Sequence, residues 1–182
     1  MAGREALTAV ERWRAEKDAF LRDHPRSPLR GDAGFDGLAY YPYDPAASVV
    51  ATLERARSPE RVRLATSSGD ERAYLEFGRA RFVLAGTDVT LTLFASVDEP
   101  DGPRLFLPFA DATSGGETYG AGRYLDLSLA ADAQGEIVLD FNYAYHPYCA
   151  YAEGYSCALP PAGNRLSVAV RAGERLPAEA AT

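Results

Sequence analysis

The chain has 182 residues, 47% of them hydrophobic and 25% charged, which suits one globular domain with its own core and excludes wholesale disorder. Its formal net charge of −7 argues against a nucleic-acid backbone as partner, because that needs a basic surface. No window reaches the ~18 apolar residues of a membrane helix, and the opening MAGREALTAVERWRAEKDAF is charged throughout, without the apolar centre of a signal peptide.

A cytoplasmic location is therefore expected, and there two cysteines are more often reduced than bridged. The expected organisation is a single domain: an N-terminal helix within residues 1–25, a β domain over 26–176, and a flexible tail at 177–182. Leu7, Val10, Trp13, Lys17 and Phe20/Leu21 recur at three- and four-residue steps and predict a helix over 4–23. His24-Pro25 ends it, since the residue before proline is pushed out of the α region. Such a helix packs across a sheet face or an open barrel end. The segment 27–45 is rich in Gly, Pro and Asp but carries Phe35, Leu38, Tyr40, Tyr41 and Tyr43, so it reads as an ordered connection pinned by its aromatics.

From Ser48 the pattern changes to short strands with a turn signal about every ten residues. Strands are predicted at 48–53, 61–66, 72–77, 80–85, 88–95, 104–109, 123–129, 136–142 and 165–170. Gly69-Asp70, Gly78, Gly86-Thr87 and Asp101-Gly102 supply the turns. The fold class is mostly β: an antiparallel barrel or sandwich of about nine short strands with one amphipathic helix. Alternation in 123–129 sets Arg123, Leu125 and Leu127 on one face and Tyr124 and Asp126 on the other. In 136–142, Ile137, Leu139 and Phe141 share one face, and Asp140 and Asn142 share the opposite one. Joined by the turn 132–135 and matched on their apolar faces, the two segments predict a hairpin. Its other face gathers Tyr124, Asp126, Asp140 and Asn142, either as a solvated sheet surface or as the lining of a cavity.

Two unusual loops flank this pair. Thr113–Arg123 contains Gly115, Gly116, Gly120 and Gly122, but it lacks a following helix and a Gly-Lys-Ser/Thr run, so it is no nucleotide loop. It is expected to aim Glu117, Tyr119 and Arg123 inward. Arg123 lies on a leucine face, where a charge must be paired. Glu117 and Asp111 are the nearest partners for a structural salt bridge, and recognition of an anionic ligand is the alternative.

The second loop runs from Asp140 to Cys157 and places His146, Cys149 and Cys157 in an H-x2-C-x7-C spacing. Four readings stand for this trio. They are weak metal candidates, zinc first, because structural zinc sites usually show closely paired ligands. The cysteines can instead form a disulfide, Cys149 can serve as a nucleophile with His146 as base, or both thiols are inert and buried. Tyr143, Tyr145, Tyr148, Tyr151 and Tyr155 bring large apolar area with polar tips, which suits either a wall around a ligand or a core within the loop.

The stretches PFADATSGGETYGAGRYLDL and LDFNYAYHPYCAYAEGYSCALPPAGNRL, the trailing RAGE, and FDGLAYYPYD upstream resemble the bacterial domain-of-unknown-function family 1684. The resemblance spans about Ser27 to Glu174. It departs at His146, where the family pattern more often carries asparagine. It implies signature positions at Glu117, Tyr119, Arg123, Tyr124, Asp140, Asn142, Tyr145, Tyr148, Cys149 and Cys157, and it implies no particular activity.

Three functions compete on these residues. The first is binding of a small polar or anionic molecule beside the 123–142 hairpin. There Arg123 pairs the anion, Asp140 and Asn142 hydrogen-bond, Tyr119, Tyr145 and Tyr148 form walls, and Tyr124 is a further ligand-binding position. The second is an enzyme using the same pocket, with Glu117 or Asp140 as acid/base and Cys149 as nucleophile. The third is a purely structural role. No cofactor is expected, the partner is a small-molecule ligand, and oligomeric state stays open.

Overall fold

The computed structural model describes residues 2–100, 102, 104–129 and 135–177. Residues 132–134 of the predicted turn and the predicted tail beyond 177 lie outside them. Helix α1 spans Ala2–Asp23 and stops ahead of Pro25, as the proline requires. It buries Val10 and Leu21 completely. It sets the Trp13 ring edge-on to Tyr40 and Tyr143, with centroids 6.5 and 5.2 Å away.

Nine strands follow among the described residues. They are β1 (Ala39–Tyr40), β2 (Ser48–Arg55), β3 (Arg61–Ala65), β4 (Glu71–Leu84), β5 (Thr87–Ser96), β6 (Arg104–Phe109), β7 (Arg123–Ser128), β8 (Glu136–Asp140) and β9 (Glu174–Arg175). Strands β1 and β9 form a small ribbon. The rest make one antiparallel, curled half-barrel in the order β7-β6-β5-β4-β2-β8, with β3 also paired to β4. Leu125 and Leu127 from β7, Ile137 and Leu139 from β8, Leu105, Leu107 and Phe109 from β6, and Leu91 and Leu93 from β5 fill one core inside the curl. Alternation therefore assigned the inward side chains of β7 and β8 correctly.

It did not assign the neighbours. Strand β7 pairs with β6, and β8 pairs with β2 from Ser48↔Asp140 to Thr52↔Glu136. The predicted 123–142 hairpin does not exist: its arms are the two opposite edges of the curled sheet. Two strands whose apolar faces meet across a curled core carry the same alternation as two strands that share hydrogen bonds, so pattern alone cannot separate these cases.

Strand β4 is the second correction. Predicted as two strands with a turn at Gly78, it is one run of 14 residues. Its first half pairs with β3 and its second with β2, while β5 follows it along the other edge. A bulge between Glu76 and Gly78 flips the inward set from Phe77 to Ala80, Phe82 and Leu84. A Cβ on Gly78 would sit 2.3 Å from the Glu54 carbonyl oxygen, so this glycine marks a close backbone approach and not a turn.

The third correction is the predicted strand 165–170. Only Arg165 forms a bridge, parallel to Ala110, and the Ala112 N–H donates to the Val168 carbonyl at 3.1 Å. Beyond that the segment forms no ladder, and it bends at 167–168. Asn164 anchors its start. The fully buried Asn164 Nδ2 donates to the Thr92 and Pro108 carbonyls at 2.9 Å each, and its Oδ1 accepts from the Thr92 N–H at 2.8 Å. That ties β5 to β6, strands whose only paired residues are Phe94 and Phe106.

Candidate functional site

The loop after β8 crosses the outer face of the sheet and is fastened at both ends. Tyr124 and Tyr145 exchange N–H···O bonds of 2.8 and 3.0 Å, fixing its start to β7. The Leu159 N–H donates to the Ala65 carbonyl at 2.8 Å and the Ser67 N–H to the Cys157 carbonyl at 2.9 Å, fixing its end to β3. Side chains on that outer face are unusually apolar: Leu64, Phe94 and Ala158 are buried there, with Val62, Tyr74 and Phe106 packed on them. A sheet face of this kind needs a cover, and the loop supplies it incompletely.

The space left over is a cleft of 420 Å³. Arg72, Tyr74, Phe106 and Tyr124 form its sheet wall, and Tyr145, Pro147, Tyr148, Tyr155, Ser156 and Cys157 form its loop wall. Tyr74 and Phe106 stack with centroids 5.3 Å apart, Phe106 meets Tyr124 edge-on at 4.7 Å, and Tyr148 meets Tyr155 edge-on at 5.4 Å. The deeper hydroxyls are committed. Tyr124 donates to the Ala158 carbonyl at 2.6 Å and Tyr145 to Asp126 Oδ2 at 2.8 Å. Burial pushes the phenols of Tyr124 and Tyr145 above their ordinary range. At the rim, Arg72 Nη2 donates to the Ser156 carbonyl at 2.9 Å.

A second cleft of 400 Å³ lies on the far side of Tyr155 and Ser156, which line both. Ser67, Ser68, Tyr119, Cys149 and Glu153 contribute to it. Burial, with Cys149 adding to it, raises the Tyr119 phenol to about 12.

Beneath the loop sits a charged cluster. Glu174 is 1% exposed. Its Oε2 accepts from Lys17 Nζ at 2.8 Å and from the His146 N–H at 3.0 Å. Its Oε1 accepts from the Tyr151 hydroxyl and lies 3.1 Å from His146 Nδ1. Burial alone would raise this carboxyl; the bonds from His146 and the Lys17 ammonium win and hold it at about 2. Lys17, the only lysine of the chain, also lies 4.5 Å over the Tyr145 ring and 5.5 Å over the Trp13 ring. Desolvation lowers its pKa despite Glu174. The Tyr119 N–H donates to His146 Nε2 at 3.2 Å, so the bonding pattern assigns the neutral imidazole with its proton on Nδ1. Both ring nitrogens are thus engaged, which leaves His146 neither free base nor open ligand in this arrangement.

The sequence-predicted residues therefore divide between several places. Tyr124, Tyr145, Tyr148 and Cys157 meet at the aromatic cleft, and Tyr119 and Cys149 at its neighbour. Arg123 reaches neither. It is 0% exposed, donating from Nη1 to the Ala172 and Glu174 carbonyls at 2.6 and 3.0 Å and from Nη2 to the Val170 carbonyl at 2.7 Å. Its charge partner is Asp111, at 3.4 Å. These three carbonyls belong to alternate residues of the C-terminal segment, 170, 172 and 174, and converge on the one guanidinium.

Asn142 is also fully buried, donating to the Asp44 carbonyl at 2.8 Å and accepting the Asp44 N–H at 3.0 Å. Asp140 caps the turn at Phe141–Tyr143 by accepting from the Asn142 N–H and Nδ2 at 3.0 and 2.8 Å. Glu117 faces outward, against the expectation, in a two-pronged bond to Arg171 with Tyr41 donating at 3.0 Å. The Arg171 bond lowers its pKa. Asp140 and Glu117 thus sit far from Cys149 in role: each is bound into a local clamp.

Sequence reasoning missed Arg72, Tyr74 and Phe106 as cleft residues, and Glu174 and Lys17 as the buried pair. Tyr74 and Phe106 stand at outward positions of β4 and β6 where alternation predicts polar residues, and that mismatch was the available signal; Arg72 fits the pattern and gave none. Among the described residues no group of three or more His, Cys, Asp or Glu is placed to hold a metal, and no helix is long and apolar enough to cross a membrane.

No curated protein matches the chain. It is similar to an uncharacterized protein from gene locus rrnAC0354 of Haloarcula marismortui, known from a solution NMR structure. That protein shares 39% identity over 98% of each chain, with a TM-score of 0.77. The family model described as "Protein of unknown function (DUF1684)" matches residues 33–175, and this chain belongs to that family.

Proposed function

We propose that this protein binds a small molecule carrying a flat or apolar body and a polar or anionic group in the aromatic cleft between β4, β6, β7 and the 143–159 loop. One observation carries the reading: six aromatic side chains surround a 420 Å³ space with a single guanidinium at its rim. Concave, mostly aromatic walls with few polar groups are the usual make-up of small-ligand sites. The committed hydroxyls of Tyr124 and Tyr145 keep the rings in place before a ligand arrives, which lowers the ordering cost of binding. Arg72 takes the anion-pairing part that the sequence reading gave to Arg123, and Tyr145 and Tyr148 keep their predicted role as walls.

Thermal shift against a panel of aromatic carboxylates, sugar phosphates and nucleosides tests this. A ligand present at a hundred times its Kd stabilises by about 2.7 kcal/mol, or about 5–10 °C for a chain of this size. The reading stands if the shift vanishes in Tyr148→Ala and weakens in Arg72→Gln. A ligand whose shift survives both substitutions binds elsewhere and overturns it.

A further inference from the structure

Cys149 and Cys157 are both free, and they occupy the wall between the two clefts. Cys157 is buried and lines the aromatic cleft, while Cys149 is half-buried and lines the second. Tyr155 and Ser156, which separate the clefts, lie in the loop that the two cysteines delimit. One ring contact joins the ends of that loop, and each end is held separately. The rings of Tyr148 and Tyr155, neighbours of the two ends, meet at 5.4 Å. The Ala150 N–H bonds the Pro147 carbonyl at 2.9 Å, holding Cys149 in a 3-10 turn. The Cys157 N–H and carbonyl are both held by Ser67, at 3.1 and 2.9 Å. Burial raises the Cys157 thiol, and its neighbour Cys149 adds to that shift. The intervening loop contains the exposed Glu153 and Gly154, and Gly154 at φ +86° leaves it room to adjust.

We propose that Cys149 and Cys157 form a redox-active dithiol, with the accessible Cys149 as the attacking thiol and the buried Cys157 as the resolving one. The oxidant is a hydroperoxide small enough to enter the second cleft. The Cys149 thiolate attacks the O–O bond. One oxygen stays on sulfur as a sulfenic acid, and the other leaves and takes a proton as water or alcohol. The Cys157 sulfur then displaces the sulfenic hydroxyl, which departs with the Cys157 proton as a second water. Two thiols lose two electrons to the peroxide, and a thiol reductant reverses the step by exchange. The bridge closes the loop that carries Tyr148 and Tyr155 at its two ends, so oxidation would fix one wall of the aromatic cleft. That consequence rests on the ligand-binding reading; the bond itself does not. The reduced starting state matches a compartment in which disulfides are transient and redox-sensing.

The test is hydrogen peroxide titration of the folded, full-length protein with intact-mass and peptide mapping under non-reducing conditions. The expected product is a monomer lighter by about 2 Da, with the 149–157 bridge in its peptide map and restored by dithiothreitol. Cys157→Ser, which keeps the attacking thiol, should instead accumulate a sulfenic acid trapped by dimedone on Cys149. Over-oxidised Cys149 without a bridge in the wild-type protein would overturn the proposal. So would a bridge that forms in urea but not in the folded chain. Both readouts are independent of any ligand, so their failure leaves the cleft reading standing, and a failed ligand panel leaves this one standing.

Discussion

Replacing Arg123 by methionine removes a fully buried guanidinium while keeping most of the side-chain volume. Four acceptors lose their donor: the carbonyls of Val170, Ala172 and Glu174, and the Asp111 carboxylate. Breaking a buried ion pair by deleting one partner costs about 3–5 kcal/mol, and each orphaned buried acceptor adds about 1–3 kcal/mol before relaxation. Asp111 keeps three donors, the Val170 N–H and the Thr113 and Ser114 hydroxyls, which limits the charge penalty. The Arg123 Nε has no partner even in the intact protein, so its removal costs nothing. A net loss of about 4–6 kcal/mol follows, which for a chain of this size lowers the melting temperature by about 8–24 °C. Urea unfolding followed by far-UV circular dichroism measures it as a drop in midpoint at unchanged slope. The Arg123→Met/Asp111→Asn double variant should lose less than the sum of the singles, because both remove the same pair. A single variant melting within about 2 °C of the parent would refute this account. It would show that the C-terminal carbonyls find other partners and would return Arg123 to the list of ligand-recognition residues.

The remaining expectations concern glycine, acid and the strand clip. A Cβ on Gly122, which has φ +92°, would meet the Phe109 carbonyl oxygen at 2.4 Å, whereas one on Gly86, φ +77°, meets nothing within 4 Å. Gly122→Ala should therefore cost more than about 3 kcal/mol and Gly86→Ala about 1 kcal/mol; equal losses in denaturant melts would show that backbone conformation, and not contact, governs both sites. Glu174 is held at about 2 in the fold against about 4.3 in an unfolded chain. As pH falls, the unfolded state takes up the proton first, so the contribution is complete above about pH 4.3 and disappears on the way to about pH 2. It is worth about 3 kcal/mol. Melts across that window should show Glu174→Gln losing the acid-side slope, and an unchanged slope would remove Glu174 as its source. Asn164→Ala leaves the Thr92 and Pro108 carbonyls and the Thr92 N–H unpaired and should cost about 2–4 kcal/mol. Hydrogen exchange should quicken at β5 and β6 ahead of the rest of the sheet; uniform quickening would mean that the clip is not local.

Much of this protein follows from local chemistry alone. Helix α1 ends where Pro25 forbids continuation, and the inward set of β7 and β8 follows from a two-residue period. The loops at 113–122 and 143–163 stand out because glycine and tyrosine there obey no period. A buried Arg123 needing a partner, with Asp111 as one of two choices, was also legible, since a charge on a leucine face leaves few alternatives.

What the chain order could not supply was which edges meet. Strands β7 and β8 carry compatible faces whether they pair or face each other across a core, and only closure of the half-barrel chose the second. That choice dissolved the predicted hairpin pocket and exposed Tyr74 and Phe106 on the outer face as the floor of another. The same closure brought Glu174 to Lys17 across 157 positions of sequence, where neither residue's neighbours hint at a buried pair. Period and turn chemistry act between residues a few positions apart, whereas ion pairs, cleft walls and thiol partners are set by contacts that exist only once the sheet has curled.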